Sequence, residues 1–88
     1  MKTIWKYVLP TDMCNRIEMP VGAEILCVQN QDEQLVMWVS CRPVAGRETR
    51  FFQVCITGGT YPMEDWKYIG TVQFDSGHYV VHVYEGLI

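Results

Sequence analysis

The residues of this sequence with the clearest chemical potential surround a pair of glycines. Gly58 and Gly59 follow Thr57 at the end of an apolar segment, where consecutive glycines allow backbone N–H groups to converge on an anion. Arg50 and Lys67 flank this segment and would add a planar guanidinium and a point charge. Together these five residues predict a binding site for a phosphate or carboxylate group.

Two aromatic residues extend this prediction to a ligand that carries a ring. Tyr61 and Trp66 lie in the irregular segment 58–67, where their side chains could stack on a planar base. The alternative is that Gly58 and Gly59 form only a tight turn and that the basic residues are solvated. The TGGT pattern is common at turns and leaves both interpretations open.

Covalent and metal chemistry have less support in the sequence. Three of the four cysteines lie in apolar segments, which is typical of buried, reduced thiols. His78 and His82 lie four residues apart in a segment with strand alternation, so roughly 13 Å would separate them and they could not share a metal ion. We expect partly buried, hydrogen-bonded histidines, no catalytic residue, no cofactor and no bound metal. The cysteines are Cys14, Cys27, Cys41 and Cys55.

Composition places the chain among compact globular domains. Its 88 residues are 49% hydrophobic and 19% charged, which suits one domain with a sizeable core. The net charge of −3 is opposite to the basic surface that general nucleic-acid binding requires. No apolar run approaches the roughly 18 residues of a membrane span, and Pro10 interrupts the N-terminal apolar segment. We expect neither membrane insertion nor a secretion signal.

Strand patterns cover nearly the whole chain. Apolar segments, alternating or continuous, predict six firm strands and one short strand. Gly, Pro, Asp and Ser separate them, and the absence of a helical stripe favours antiparallel pairing. We predict an all-β fold with a single domain over 1–88, a small antiparallel β-sandwich or partly open barrel of six to seven strands. The predicted strands are 2–9, 16–19, 24–30, 35–42, 50–57, 68–74 and 78–85.

The aromatic content indicates association between copies of the chain. A domain of this size buries only about 60–65% of the surface of its unfolded chain. The sequence nevertheless contains three Trp, five Tyr and three Phe. We therefore expect a homo-oligomer that covers an apolar patch or an exposed sheet edge and forms a ligand pocket at the subunit boundary.

Four segments resemble a family of small uncharacterised proteins of tailed bacteriophages and prophages. They are TIWKY (3–7), IEMPVGAEILCVQ (17–29), YIGTVQF (68–74) and HVYE (82–85). The likeness spans nearly the whole chain, whereas the loops 42–50 and 57–66 look individual to this protein. The resemblance implies a phage-encoded accessory protein of the bacterial cytoplasm and supplies no catalytic residue.

Two functions of different classes remain open. The first is a non-enzymatic inhibitor of host defence that sequesters a small anionic, nucleotide-derived signal in a pocket of the oligomer. The second is a protein-interaction module that inhibits a host protein through its acidic, aromatic-bearing surface, with 58–67 as the anchor. A minor virion component is a third alternative. The expected partners are further copies of the chain and the small ligand, with no nucleic acid.

Overall fold

Seven β-strands form two antiparallel sheets in the structure, a computed structural model that describes residues 1–10, 14–59 and 65–86. One sheet has the strand order β1-β4-β3, and the other has the order β2-β5-β7-β6. The predicted all-β sandwich is confirmed, and the sheets do not close into a barrel. No helix in the described ranges is long and apolar enough to cross a membrane. The strands are β1 (Thr3–Val8), β2 (Cys14–Pro20), β3 (Glu24–Gln31), β4 (Gln34–Cys41), β5 (Arg47–Ile56), β6 (Lys67–Phe74) and β7 (Tyr79–Gly86).

Two strands are longer than the sequence predicted. The short strand expected at 16–19 extends over Cys14–Pro20, because every one of these residues pairs with a residue of β5. β5 consequently begins at Arg47, ahead of its predicted start. The hairpin loop between β3 and β4 is shorter than expected, since the strands pair up to the two turn residues, Asp32 and Glu33.

Both hairpin turns have left-handed backbone at residues other than glycine. Asp32 and Glu33, between β3 and β4, have φ values of 52° and 65°. The turn Asp75–Gly77, between β6 and β7, begins with φ values of 50° and 53° before its glycine. L-residues rarely adopt this conformation, although Asp tolerates it better than most. The Asn30 side chain supports the first turn by accepting a hydrogen bond from the Glu33 amide at 2.8 Å.

The core lies between the two sheets. Alternate residues of β4, β5 and β7 point into it, and β4 is the central strand of its sheet. Trp5 and Tyr7 of β1 pack against this core. The buried side chains of the central strands include Leu35, Met37, Val39, Phe52, Val54, Val81 and Val83.

The two sheets meet most closely along β3 and β6. A Cβ atom on Gly70 of β6 would lie only 2.9 Å from Cγ2 of Val28 in β3. Nearby, Asn30 Nδ2 donates a hydrogen bond to the Gln73 carbonyl oxygen at 3.1 Å. The absence of a side chain at position 70 therefore permits the close contact that brings this side of the sandwich together.

Replacing Gly70 with alanine should destabilise the fold, because the added methyl group forces Val28 to move. We expect Gly70→Ala to lower the free energy of unfolding by about 1 kcal/mol. Gly46→Ala is the matched control: a Cβ there meets no atom within 4 Å, so its effect should stay within about 0.5 kcal/mol. Urea denaturation measures both. A Gly70→Ala penalty that is the same in the Val28→Ala background would show that Val28 is not its cause.

Candidate functional site

The position of β7 between β5 and β6 separates the residues that were predicted to bind an anion. Both neighbours pair antiparallel to β7, so β5 and β6 run in the same direction. Ile56, the last residue of β5, pairs with Val81. Lys67, the first residue of β6, pairs with Glu85, four residues further along β7, a distance of about 13 Å. The segment between these strands therefore joins opposite ends of the sheet.

The predicted ligand residues consequently fall into two groups. Arg50, Trp66 and Lys67 lie at one end of the four-stranded sheet. The segment Thr57-Gly58-Gly59 follows the other end of β5, about 23 Å from Arg50 along the chain direction. Tyr61 lies outside the described residues. The structure thus brings the first group together and does not bring the glycine pair to it.

The glycine pair forms a turn. Gly58 has a φ of 87°, in the left-handed region that favours glycine. The Gly59 N–H donates to the Ile56 carbonyl oxygen at 3.0 Å, the pattern of a type II turn with glycine at its third position. The Gly59 amide is therefore already hydrogen-bonded within the chain. This matches the turn interpretation that the TGGT pattern had left open.

At the other end of the four-stranded sheet, Arg50 of β5 forms an ion pair with Glu85 of β7 and a hydrogen bond to Ala23, the residue before β3 of the other sheet. Its Nε and Nη2 atoms donate to the Glu85 carboxylate at 2.5 and 3.1 Å, and Nη1 donates to the Ala23 carbonyl oxygen at 2.7 Å. The two side chains are 16% and 17% exposed. The hydrogen bond with Glu85 raises the pKa of Arg50 above its ordinary value, although burial opposes this. An anionic ligand that reaches Arg50 must share it with Glu85.

A cavity of about 330 Å³ opens beside this ion pair. The Lys67 ammonium at its edge has no hydrogen bond or ion pair with the described part of the chain. Leu26 and Tyr68 are 45% and 53% exposed and supply apolar wall. Two cationic and two acidic side chains line the cavity, so their formal charges cancel. The lining residues are Ala23, Glu24, Ile25, Leu26, Arg50, Lys67, Tyr68, Ile69 and Glu85.

Trp66 packs on the backbone near this cavity without lining it. A Cβ atom on Gly86 would overlap the six-membered ring of Trp66, so the ring lies directly against the glycine. Gly86 in turn pairs with Phe51 of β5. The aromatic side chain that lines the cavity is Tyr68, which the sequence had placed only within a strand. In the sequence, a tyrosine directly after Lys67 is the signal that would have identified it.

A chain of hydrogen bonds crosses the outer face of the four-stranded sheet. The His82 Nε2 and Nδ1 atoms lie 2.8 and 2.9 Å from the hydroxyl oxygens of Thr57 and Thr71. The Tyr68 hydroxyl lies 2.5 Å from the Thr71 hydroxyl oxygen. Both imidazole nitrogens are therefore occupied, which confirms the prediction of a partly buried, hydrogen-bonded His82. These hydrogen bonds link Thr57, at one end of the sheet, to Tyr68 in the wall of the cavity.

The other predicted histidine and the cysteines take no part in this chain of hydrogen bonds. His78 precedes β7 and is exposed, contrary to the prediction of a partly buried histidine, with Nδ1 2.8 Å from the Asp75 carbonyl oxygen. All four cysteines are free thiols, of which Cys41 and Cys55 are buried. Burial raises the pKa of the Cys55 thiol, which opposes formation of a nucleophilic thiolate. Within the described ranges, no three His, Cys, Asp or Glu side chains are grouped to hold a metal ion.

Comparison of the whole sequence with protein families gives one clear result. The family model described as a domain of unknown function (DUF7352) matches residues 1–87. The chain belongs to this family. The predicted resemblance to an uncharacterised family is thereby confirmed, while the phage origin stays a prediction. No curated protein and no solved structure matches the chain significantly. The function of this DUF7352 domain must therefore be argued from its own residues.

Removing the charge of Glu85 should destabilise the DUF7352 domain, because the largely buried Arg50 guanidinium then keeps only the more distant Glu48 carboxylate, 3.7 Å away. We expect Glu85→Gln to lower the free energy of unfolding by about 2 kcal/mol. Asp75→Asn is the matched control: the Asp75 side chain is 82% exposed and 3.9 Å from His78, so its loss should have no measurable effect. Chemical denaturation at neutral pH measures both. Equal effects of the two changes would contradict a structural role for the Arg50–Glu85 pair.

Proposed function

We propose that this DUF7352 domain is a non-enzymatic binding protein that sequesters a small anionic, nucleotide-derived ligand in the cavity beside the Arg50–Glu85 pair. One observation carries the proposal: Arg50, Lys67 and the exposed ring of Tyr68 line a single cavity. These are the groups that a phosphate-bearing, ring-bearing molecule requires. Two of them, Arg50 and Lys67, are residues for which the sequence itself predicted anion binding.

Each group would contact a different part of the ligand. Lys67 supplies the cation that the described part of the chain leaves without a partner, so a phosphate oxygen is its natural acceptor. Tyr68 offers an aromatic face for a base, with Leu26 as a second apolar wall. The cavity volume of about 330 Å³ lies at the lower end of the range for small-molecule sites, which suits a ligand of mononucleotide size.

Binding alone is sufficient for the biological role that we propose, the inhibition of host defence by a phage-encoded protein in the bacterial cytoplasm. A defence signal is depleted when a tight binder holds it, and no bond needs to break. The raised pKa of Cys55 and the full hydrogen bonding of His82 support this, because neither group is prepared for nucleophilic or base catalysis. The four segments that resemble phage and prophage proteins support the proposed phage origin.

A protein-interaction module is the second candidate, and exposed apolar side chains on an edge strand favour it. Ile4 and Val8 of β1 are 59% and 49% exposed on the outer face of the three-stranded sheet. Apolar residues on an unpaired edge are typical of surfaces that contact other proteins. This candidate places the partner on β1, which does not line the cavity. Most of the segment 58–67, the anchor predicted from the sequence, lies outside the described residues.

Nucleotide binding at the cavity should raise thermal stability. Cyclic and ADP-ribose-derived nucleotides are screened by thermal shift, and a ligand at 100 times its dissociation constant should add about 2.7 kcal/mol. Lys67→Ala should reduce the shift, because it removes the phosphate partner. Lys6→Ala should leave it unchanged, since Lys6 lies on the other sheet and donates to Gln31. The absence of a shift with every nucleotide, or equal shifts in the wild type and Lys67→Ala, would contradict the proposal.

The homo-oligomer expected from composition belongs to the same proposal. Leu26 and Tyr68 are exposed large apolar side chains that both border the cavity, so a second copy seated there would cover them and deepen the pocket. Such a contact would form the subunit-boundary pocket that the sequence predicted.

Light scattering after size exclusion should therefore show a mass above that of a single 10.2 kDa chain. Leu26→Glu should shift the protein towards the monomer, because it places a charge in the contact. Val44→Glu is the matched control, as Val44 is fully exposed in a loop away from the cavity. A wild-type protein that remains monomeric at high concentration would remove the subunit boundary from the proposal.

A further inference from the structure

A second cavity, of about 590 Å³, lies on the other side of the turn between β2 and β3. The turn residues Val21 and Gly22 form one wall, and Ala45 and Gly46 of the loop after β4 form another. The remaining lining comes from the adjacent ends of β1 and β4. The proposed function does not involve this cavity.

Two cations face each other across the strands at its edge. Thr3 of β1 pairs with Cys41 of β4, and continuing this antiparallel register by one residue sets Lys2 opposite Arg42. Both residues line the cavity. Residues directly opposite in such a pair have Cβ atoms about 4.5–5.5 Å apart, and like charges in this position repel each other. The register therefore places two exposed positive charges at the same edge of the cavity.

No acidic side chain in the described part of the chain neutralises this pair. Neither Lys2 nor Arg42 forms a salt bridge or side-chain hydrogen bond there, although the protein has ten acidic residues and a net charge of −3. Two carboxylates lie near the cavity: Glu24 is opposite Ser40, and Glu48 accepts a hydrogen bond from the Gly22 amide at 3.1 Å. Neither makes an ion pair with Arg42. A charge pair of this kind in an acidic protein favours a divalent anion from solution.

Backbone hydrogen bonds hold the cavity walls in place. The Ala45 N–H donates to the Arg42 carbonyl oxygen at 3.0 Å, which closes the turn that begins at Arg42. The Val21 N–H donates to the Gly46 carbonyl oxygen at 2.8 Å and joins the two walls. These bonds fix the backbone of Arg42 and the two cavity walls before any ligand binds.

We infer that Lys2 and Arg42 form a binding site for the phosphoryl group of a small molecule. The Arg42 guanidinium matches two phosphate oxygens, and the Lys2 ammonium supplies the second positive charge for a dianion. Val21 and Ala45 offer apolar contact to the remainder of the ligand, for which the cavity has room. This site is distinct from the cavity beside the Arg50–Glu85 pair, and its existence does not depend on the proposed function.

Titration with inorganic phosphate, followed by amide chemical shifts in NMR spectra, tests the inference. Saturable shifts should centre on the amides of Arg42 and Gly46, and Arg42→Gln or Lys2→Gln should weaken the affinity by about tenfold or more. Arg16→Gln is the matched control, because Arg16 is an exposed arginine of β2 that does not line the cavity. Shifts that do not saturate, or that persist equally in Arg42→Gln, would overturn the inference.

Thermal stability gives a second test, because phosphate should reverse the order of the melting temperatures of Lys2→Gln and the wild type. In low-salt buffer without phosphate, Lys2→Gln should melt at a higher temperature than the wild type, because the repulsion is removed. In excess phosphate at the same ionic strength the order should reverse, since only the wild type gains a bound dianion. An unchanged order in both buffers would overturn the inference. Adenosine monophosphate binding more tightly than inorganic phosphate would assign the site to organic phosphates, and equal affinities would assign it to the phosphate ion.

Discussion

The insertion of β7 between β5 and β6 determines where every polar group of the four-stranded sheet lies. Since β5 and β6 pair with the same strand, they run in parallel, and the chain between them links opposite ends of the sheet. The buried alternation of β7, with Val81 and Val83 fully inside, holds this arrangement. His82 is consequently directed to the outer face, where it bridges two threonine hydroxyls, while Glu85 reaches Arg50.

Four of the seven cationic side chains line the two cavities beside the turn between β2 and β3, where the acidic side chains Glu24 and Glu85 also lie. The turn between β2 and β3 separates two cavities, one with Lys2 and Arg42 and the other with Arg50 and Lys67. Glu48 stands near the turn, where its carboxylate accepts a hydrogen bond from a backbone amide at 3.1 Å and lies 3.7 Å from Arg50. Of these four cations, Arg50 is paired with carboxylates and also donates to the Ala23 carbonyl oxygen, which links the two sheets, so a ligand would have to share it. The other three make no ion pair within the described ranges.

The fold could be predicted from the sequence to a greater extent than the site. Period-two patterns mark each strand, and Leu35–Val39 marks a central one, because burial on a pleated sheet is a local property of the chain. The order of strands depends on contacts between distant segments, which no local pattern records. Without that order, Arg50 and the glycines of 57–59 looked like neighbours, and the Lys2–Arg42 pair, forty residues apart, went unrecognised. The partner of Arg50, Glu85, was hidden for the same reason.

The left-handed hairpin turns bear on how this chain reaches its native state. Asp32, Glu33 and the first two residues of Asp75–Gly77 adopt backbone angles that they do not favour in isolation. These turns therefore favour hairpin formation less than an Asn-Gly turn would, so packing of the apolar strand faces contributes more to it. Pairings such as β1 with β4 also require closure of long stretches of chain before any contact stabilises them. The consequence is slow, cooperative folding, during which nascent copies expose unpaired apolar strands to one another.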